Sequence, residues 1–455
     1  MTAIAQLGAF TAQLAGHEGT GSVGDKLKLH VVDTIGAWIA GSVTPEGRAL
    51  AAFHAQVRRG GEPKRAALLD EVARNCALAR LSEVDDIHLA SMTTPGAIVI
   101  PAALTMARSW PEADASDLAA AILAGYEAMV RLGLAIDGPA ILYRGIWPTY
   151  FAAPFGVAAV AARLLRLDEK HTAHALALGL ALAAPGVGHH NAQTTSRWFA
   201  VGNAARNGLA AAFAAQSGFT SDLALAESGF FANVYGITPR ASMLTERLGG
   251  EPTLAQISFK PWCAARQTMA ATQALREIIQ EGVRADDIVT VRAAVLPPHL
   301  KMIDHGVKAG DRASYLTSLP YQMAVAALEP VTALALSARP DGPSPAMQSF
   351  MARIEVTGDD ALLANYPSTW PARVAVVTRS GTREEEVTHV PGDPSRPFGV
   401  DDVANKFRCL VAPVLGEQRA GSMLRRIVDG LDDGQSLAAV VDEVDQICRA
   451  CIDMK

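Results

Sequence analysis

The chain is poor in the residues that staple, insert or attract. It has five cysteines in 455 residues (Cys76, Cys263, Cys409, Cys448 and Cys451), odd in number and too scattered for a disulfide framework. Cys448 and Cys451 form a C-x-x-C, but no second pair completes a zinc site. All five read as reduced thiols in a reducing compartment. The opening residues lack a basic region followed by an apolar stretch, so no secretory signal is expected. No apolar run reaches the roughly 20 residues that a membrane helix requires. The expectation is a cytoplasmic protein with no membrane partner. Positive charge is also short: the formal net charge is −6, which argues against a nucleic-acid partner, since such binders need a basic face to displace counterions. Aromatic residues make up 6% and charged residues 19%. The core must therefore be built from Ala, Leu, Val and Ile, and a large buried fraction or a subunit interface is implied.

What the chain does have is helix-forming sequence. Its length suits two or three domains. Two helices are expected within residues 1–40, then Arg48–Val57 and Arg65–Leu81. Ile98–Trp110 and Ala115–Ile136 follow, with Asp114 or Ser116 as caps. Phe155–Leu167, Glu169–Ala183, Val201–Ser217 and the short Asp222–Ser228 continue the series. No strand pattern is convincing to this point. After about Pro252 the character changes: Asp287–Leu296, Ser349–Val356, Ala372–Thr378 and Glu384–Val390 carry the β-branched or alternating residues of strands. Helices at Cys263–Glu281 and Ser318–Ala327 lie between them, and three more helices close the chain from Val403. The fold class expected is mainly α with an α+β second domain. A large all-helical bundle, discontinuous in sequence (1–255 completed by 402–455), would carry a smaller inserted α+β domain (256–401).

Polar islands interrupt the apolar helices. The first is Val84-Asp85-Asp86-Ile87-His88 running into Thr93-Thr94-Pro95-Gly96. Thr93 or Thr94 is placed to cap the helix whose first turn holds Pro101, and free N–H groups there suit an anion. Asp85, Asp86 and His88 are of the right types for acid, base or orienting work. A surface loop with two solvated acids is the alternative. The second island is the polar-aromatic turn Tyr143–Tyr150, with Trp147 and Tyr150. The third, His189-His190-Asn191 through Arg197, offers imidazoles, or helix-end histidines bonded to backbone. The last two are Phe259-Lys260-Pro261 with Arg266, and His299-Leu300-Lys301. Together Lys260, Arg266, Lys301 and Arg197 make an anion-attracting pocket of the kind a di- or tricarboxylate needs; otherwise they are four independent surface cations.

Several of these pieces, in order, resemble the MmgE/PrpD family, which includes 2-methylcitrate dehydratase, cis-aconitate decarboxylase and iminodisuccinate epimerase. They are Val32-Asp33-Thr34-Ile35-Gly36 with Ala40-Gly41, Asp85-Asp86-Ile87-His88, Thr94-Pro95-Gly96 to Ala103, and Gly125-Tyr126-Glu127. Trp147-Pro148-Thr149, Ala204-Ala205-Arg206-Asn207-Gly208, Phe259-Lys260-Pro261 with Arg266, and Leu319-Pro320-Tyr321 complete the set. The series covers about two thirds of the chain and leaves the last third without a match. The resemblance implies an all-helical domain plus a smaller α+β domain with the active site between them. It also implies a homodimer, and chemistry without metal or organic cofactor. A small anionic organic acid is the implied substrate, and a lyase or an isomerase or epimerase that abstracts a proton next to a carboxylate is the implied enzyme. Asp85, Asp86, His88 and Lys260 are then the candidate catalytic residues. Thr94, Trp147, Tyr150, His190, Asn191, Arg197, Arg266 and Lys301 are the candidate substrate-binding ones, with Lys260 and Arg266 expected in the cleft of Asp86 and His88.

The departures matter as much. Thr94 stands where the family usually has His, and Gly145-Ile146-Trp147 replaces Gly-aromatic-His. Arg197 replaces a lysine, and Ala200 and Ala265 or Met269 stand for two further histidines. Arginine holds charge but does not shuttle protons. A catalytically retired member that binds an organic acid, or only pairs with other subunits, is therefore the second hypothesis.

Overall fold

The computed structural model describes residues 1–15, 21–57, 64–110, 113–183, 195–330, 334, 342–433 and 435–450. It divides into two compact units. The first takes the described residues of Met1–His189, Thr194–Ile257 and Gly399–Lys455, the second those of Ser258–Phe398.

The first unit is helical. Asp114 and Asp168 cap two of its helices, accepting from the backbone N–H of Asp117 at 2.8 Å and of His171 at 2.7 Å; such caps satisfy donors that the first turn leaves unpaired. Helix Ala115–Ala135 packs on Pro148–Leu164, and Ser196–Gln216 lies against both Pro148–Leu164 and Lys64–Leu81. Small residues let these backbones approach closely. Helix Val400–Leu415 lies on Gly21–Ser42, and a Cβ added at Gly36 would stand 3.0 Å from Phe407.

Three sequence expectations are corrected here. Ala115–Ala135 is one helix long and apolar enough to span a bilayer, but 89% of its apolar window is buried inside the protein; it is a core helix, apolar all round because it is surrounded. Asp222–Ser228 forms turns, and the short helix comes later, at Phe230–Tyr235. Neither Thr93 nor Thr94 caps the helix Gly96–Ala107. Pro95 takes the cap position without a side-chain bond, and the carboxylate of Asp86 supplies the acceptor instead.

The second unit carries a four-stranded sheet in the order β2-β1-β3-β4, from β1 (Ile288–Val295), β2 (Ile354–Gly358), β3 (Ala372–Thr378) and β4 (Gly381–Val387). The β1–β2 pair is parallel and the other two pairs are antiparallel. Helix Met269–Gln280 covers β3 and β4, and strand β1 alternates buried and exposed positions as a one-sided sheet requires. The expected strand Ser349–Val356 is half helix: Pro345–Met351 is helical, started by Ser344, and the strand begins only at Ile354.

Candidate functional site

The turn between Leu81 and Gly96 is built from buried charge. Asp86, 1% exposed, accepts through Oδ1 from the Gly96 N–H at 2.8 Å. Its Oδ2 accepts from the Tyr126 hydroxyl at 2.6 Å and lies 2.9 Å from His30 Nδ1. Burial first, and then the Asp86 charge, push the Tyr126 phenol well above its ordinary value, so Tyr126 stays a donor. A Cβ at position 96 would fall 2.6 Å from the Asp86 carboxylate, which is why glycine stands there. Asp85 is fully buried and pairs with Arg80 at 3.1 Å, which also meets Glu83 at 2.9 Å.

His88 closes the turn. Its N–H donates to Thr93 O at 2.8 Å in an isolated antiparallel bridge. Its ring Nδ1 accepts from the Ser91 N–H at 3.1 Å, which puts the ring proton on Nε2, facing Gln256 Oε1 at 3.3 Å. Burial pulls its pKa from 6.5 to about 4, so the imidazole is neutral at neutral pH. The unfolded chain then binds more protons than the folded one between pH 6.5 and 4. Stability contributed by this neutral ring is complete above 6.5 and is lost as pH falls toward 4. His88→Gln is expected to flatten the fall in unfolding free energy between pH 7 and pH 5 by about 2 kcal/mol, read from urea denaturation at the two pH values. An unchanged slope would mean that His88 titrates in the folded protein as it does in the unfolded chain.

Beside this turn lies a second group. Thr94 donates its N–H to Thr149 Oγ1 at 3.0 Å, and the two hydroxyls are 3.1 Å apart. Pro148 starts the helix that carries Thr149 and Tyr150, with Trp147 just before it. Trp147 and Tyr150 stack at 5.5 Å between ring centroids and 16° between planes. The Arg197 guanidinium sits 5.6 Å from the Trp147 ring and 4.2 Å from the Trp198 ring. Tyr150 is 2% exposed, and burial, only partly opposed by Arg80 and Arg197, pushes its phenol up to about 12. Among the described residues, neither the Tyr150 hydroxyl nor Trp147 Nε1 has a hydrogen-bond partner. Buried donors left in that state are costly and uncommon.

The second unit holds its own cationic centre. Arg266 binds Asp393 through Nη2, at 2.8 Å to Oδ1 and 2.7 Å to Oδ2, while Asp393 Oδ2 also accepts from the Val390 N–H at 2.8 Å. Nε and Nη1 of Arg266 have no hydrogen-bond partner among the described residues. His299 packs on Trp370 at 4.8 Å, and burial together with the Arg266 charge holds its pKa at about 3. Lys260 is buried at 2% exposure, whereas Lys301 is exposed. His190 and Asn191 lie outside the described residues, as does His189.

Thus Asp85, Asp86 and His88 share one turn, and Thr94, Trp147, Tyr150 and Arg197 share one neighbourhood. Sequence reasoning missed four groups that complete this part of the first unit: His30, Asp33, Tyr126 and Lys406. Asp33 and Tyr126 stood within matched motifs, but an apolar helix gave no sign that they were buried partners. Asp393 was missed as a partner of Arg266, and His299, noted only as part of a polar island with Lys301, packs on Trp370 next to it. Among the described residues, no three His, Cys, Asp or Glu side chains converge as metal ligands.

Comparison with protein-family models gives two matches. Residues 5–240 match the MmgE/PrpD N-terminal domain, and residues 262–432 match the MmgE/PrpD C-terminal domain. The chain belongs to the MmgE/PrpD family. The C-terminal match reaches through most of the last third of the chain, where no motif was legible by eye. No curated protein matches the chain. MmgE/PrpD proteins are generally enzymes of the dehydratase or lyase type, so this membership suggests that class of activity.

Proposed function

We propose that the protein is a lyase or an isomerase or epimerase that abstracts a proton next to a carboxylate on a small di- or tricarboxylate-like acid. The observation that carries this is the group of Arg197, Trp147 and Tyr150, where the helices Pro148–Leu164 and Ser196–Gln216 begin, in a chain of this family. A buried guanidinium is a carboxylate's natural partner, and two buried donors without an acceptor among the described residues suit an anionic guest. In this assignment Arg197 binds a substrate carboxylate. Tyr150, protonated up to about pH 12, donates to the developing enediolate or to a departing hydroxyl. Asp85 and His88 are the candidate bases of the first unit. Asp86 is committed to Gly96, Tyr126 and His30 and is assigned a structural role. Lys260 and Arg266 are separate candidates, for base and carboxylate binding respectively.

The test is a solvent-deuterium exchange screen across small di- and tricarboxylates, read by NMR. An accepted acid is expected to take up deuterium next to its carboxylate. Lys260→Ala is expected to lower turnover of that acid by roughly 10²–10⁴ if Lys260 is the proton-transfer group. Unchanged binding and turnover in that variant would remove Lys260 from the assignment.

A second interpretation is supported by the engagement of Asp85 with Arg80, Asp86 with the Gly96 N–H and the Tyr126 hydroxyl, and His88 with Ser91. A turn whose titratable groups are all engaged also fits a retired family member that binds an organic acid without turning it over. Saturable binding with no deuterium uptake from any acid would favour that protein.

A further inference from the structure

The buried charge under the 84–96 turn includes a lysine that reaches it from the far end of the chain. Lys406, on helix Val400–Leu415, is 4% exposed. Its ammonium lies 2.6 Å from Asp33 Oδ1 and donates to the Val84 carbonyl at 2.8 Å. Val84 directly precedes Asp85 and Asp86, so one ammonium ties helix Gly21–Ser42 and the entry of the turn to a helix 322 residues beyond Val84. Burial raises the Asp33 pKa, and Lys406 is the main force opposing that rise. A lone buried carboxylate beside the Asp86 cluster would be costly, and a buried pair of this kind is weak evidence for stability alone. An Asp–Lys pair could be replaced by apolar residues with little loss. The bond to Val84 O cannot be, because it fixes backbone.

We infer that Lys406 is a positioning residue: by holding the Val84 carbonyl it sets the turn that presents Asp85, His88 and Thr94 to substrate. This rests on the site proposed above for the first unit. Lys406 touches no reacting atom in this role. It acts through the backbone of the turn.

The experiment separates the charge pair from the carbonyl anchor, using the full chain. Lys406→Met should strand the Asp33 carboxylate and lower the melting temperature. Adding Asp33→Asn removes the stranded charge, so the double variant should recover most of that loss. Val84 O still lacks its donor there. Amide hydrogen exchange across residues 84–96 is therefore expected to quicken at least about tenfold in the double variant. Its reporters are the His88, Thr94 and Gly96 N–H groups, bonded to Thr93 O, Thr149 Oγ1 and Asp86 Oδ1. Turnover of an accepted acid should fall at least about tenfold in kcat, beyond anything the residual stability change explains. Asp33→Asn alone keeps the anchor and should keep wild-type exchange in this segment. If the double variant fails to fold, Asp33→Asn/Lys406→Gln takes its place. Wild-type exchange and turnover in the double variant would overturn the inference and leave Lys406 a structural charge. Quickened exchange, with no acid turned over even by the wild type, would sink the lyase or isomerase proposal while the positioning role stands.

Discussion

Asp86→Ala is expected to cost about 3–5 kcal/mol of folding stability, measured by urea or thermal unfolding at pH 7. The carboxylate is nearly inaccessible, and two donors bond its two oxygens, the Gly96 N–H at 2.8 Å and the Tyr126 hydroxyl at 2.6 Å, with His30 Nδ1 2.9 Å from Oδ2. Alanine would strand both donors in an apolar interior, take the carboxylate away from the buried His30 ring, and free the first turn of helix Gly96–Ala107, which has no other side-chain cap. Domains have total stabilities of about 5–15 kcal/mol, so the variant should be marginal at growth temperature. Asp86→Asn should cost less, about 1–3 kcal/mol. Its amide keeps one acceptor, and the Tyr126 hydroxyl can rotate to accept from the NH2. Asp86→Ala at full stability with turnover alone abolished would place the carboxylate against substrate and reverse the structural assignment.

The partners of Asp86 show where sequence reasoning stopped. Helices with long apolar faces were legible to within a few residues, as with Ala115–Ala135 and strand Ala372–Thr378, because burial imposes its period on residue type. Helix starts were less so. A threonine before Pro-Gly looks like a cap, and nothing local says that an aspartate ten residues earlier will provide the acceptor. The pairing of Asp33 with Lys406 spans most of the chain, and such contacts leave no mark on either segment. Asp85, Asp86 and His88 looked alike as acid–base candidates in the sequence. The structure separates them by partner: an arginine for Asp85, a backbone N–H and a tyrosine hydroxyl for Asp86, and a backbone N–H that fixes the tautomer for His88. Tyr150 and Arg197 gained weight from stacking and burial that only the assembled helices create.

The second large effect concerns the two positions where the family resemblance puts histidines and this chain does not. Little or no turnover of 2-methylcitrate or cis-aconitate is expected from the wild type. The Thr94 hydroxyl is no base near neutral pH, and it is already 3.1 Å from the Thr149 hydroxyl. The Trp147 indole offers only a donor, and its ring is stacked on Tyr150 with Arg197 5.6 Å away. Removing one general acid or base typically costs roughly 10²–10⁴ in rate, and removing two could multiply toward about 10⁴–10⁸ if both act in one step. Trp147 also fills space with an apolar face, which should favour an acid with an apolar portion over a compact, fully polar one. Thr94→His/Trp147→His restores both imidazoles but leaves Arg197 unable to shuttle protons, so a gain of about 10²-fold would be a substantial result. Direct assay of both acids with wild type and double variant decides the matter. Robust wild-type turnover of either would mean that an imidazole or carboxylate already in this chain, His88 or Asp85 first among them, performs the proton transfer without the family histidines.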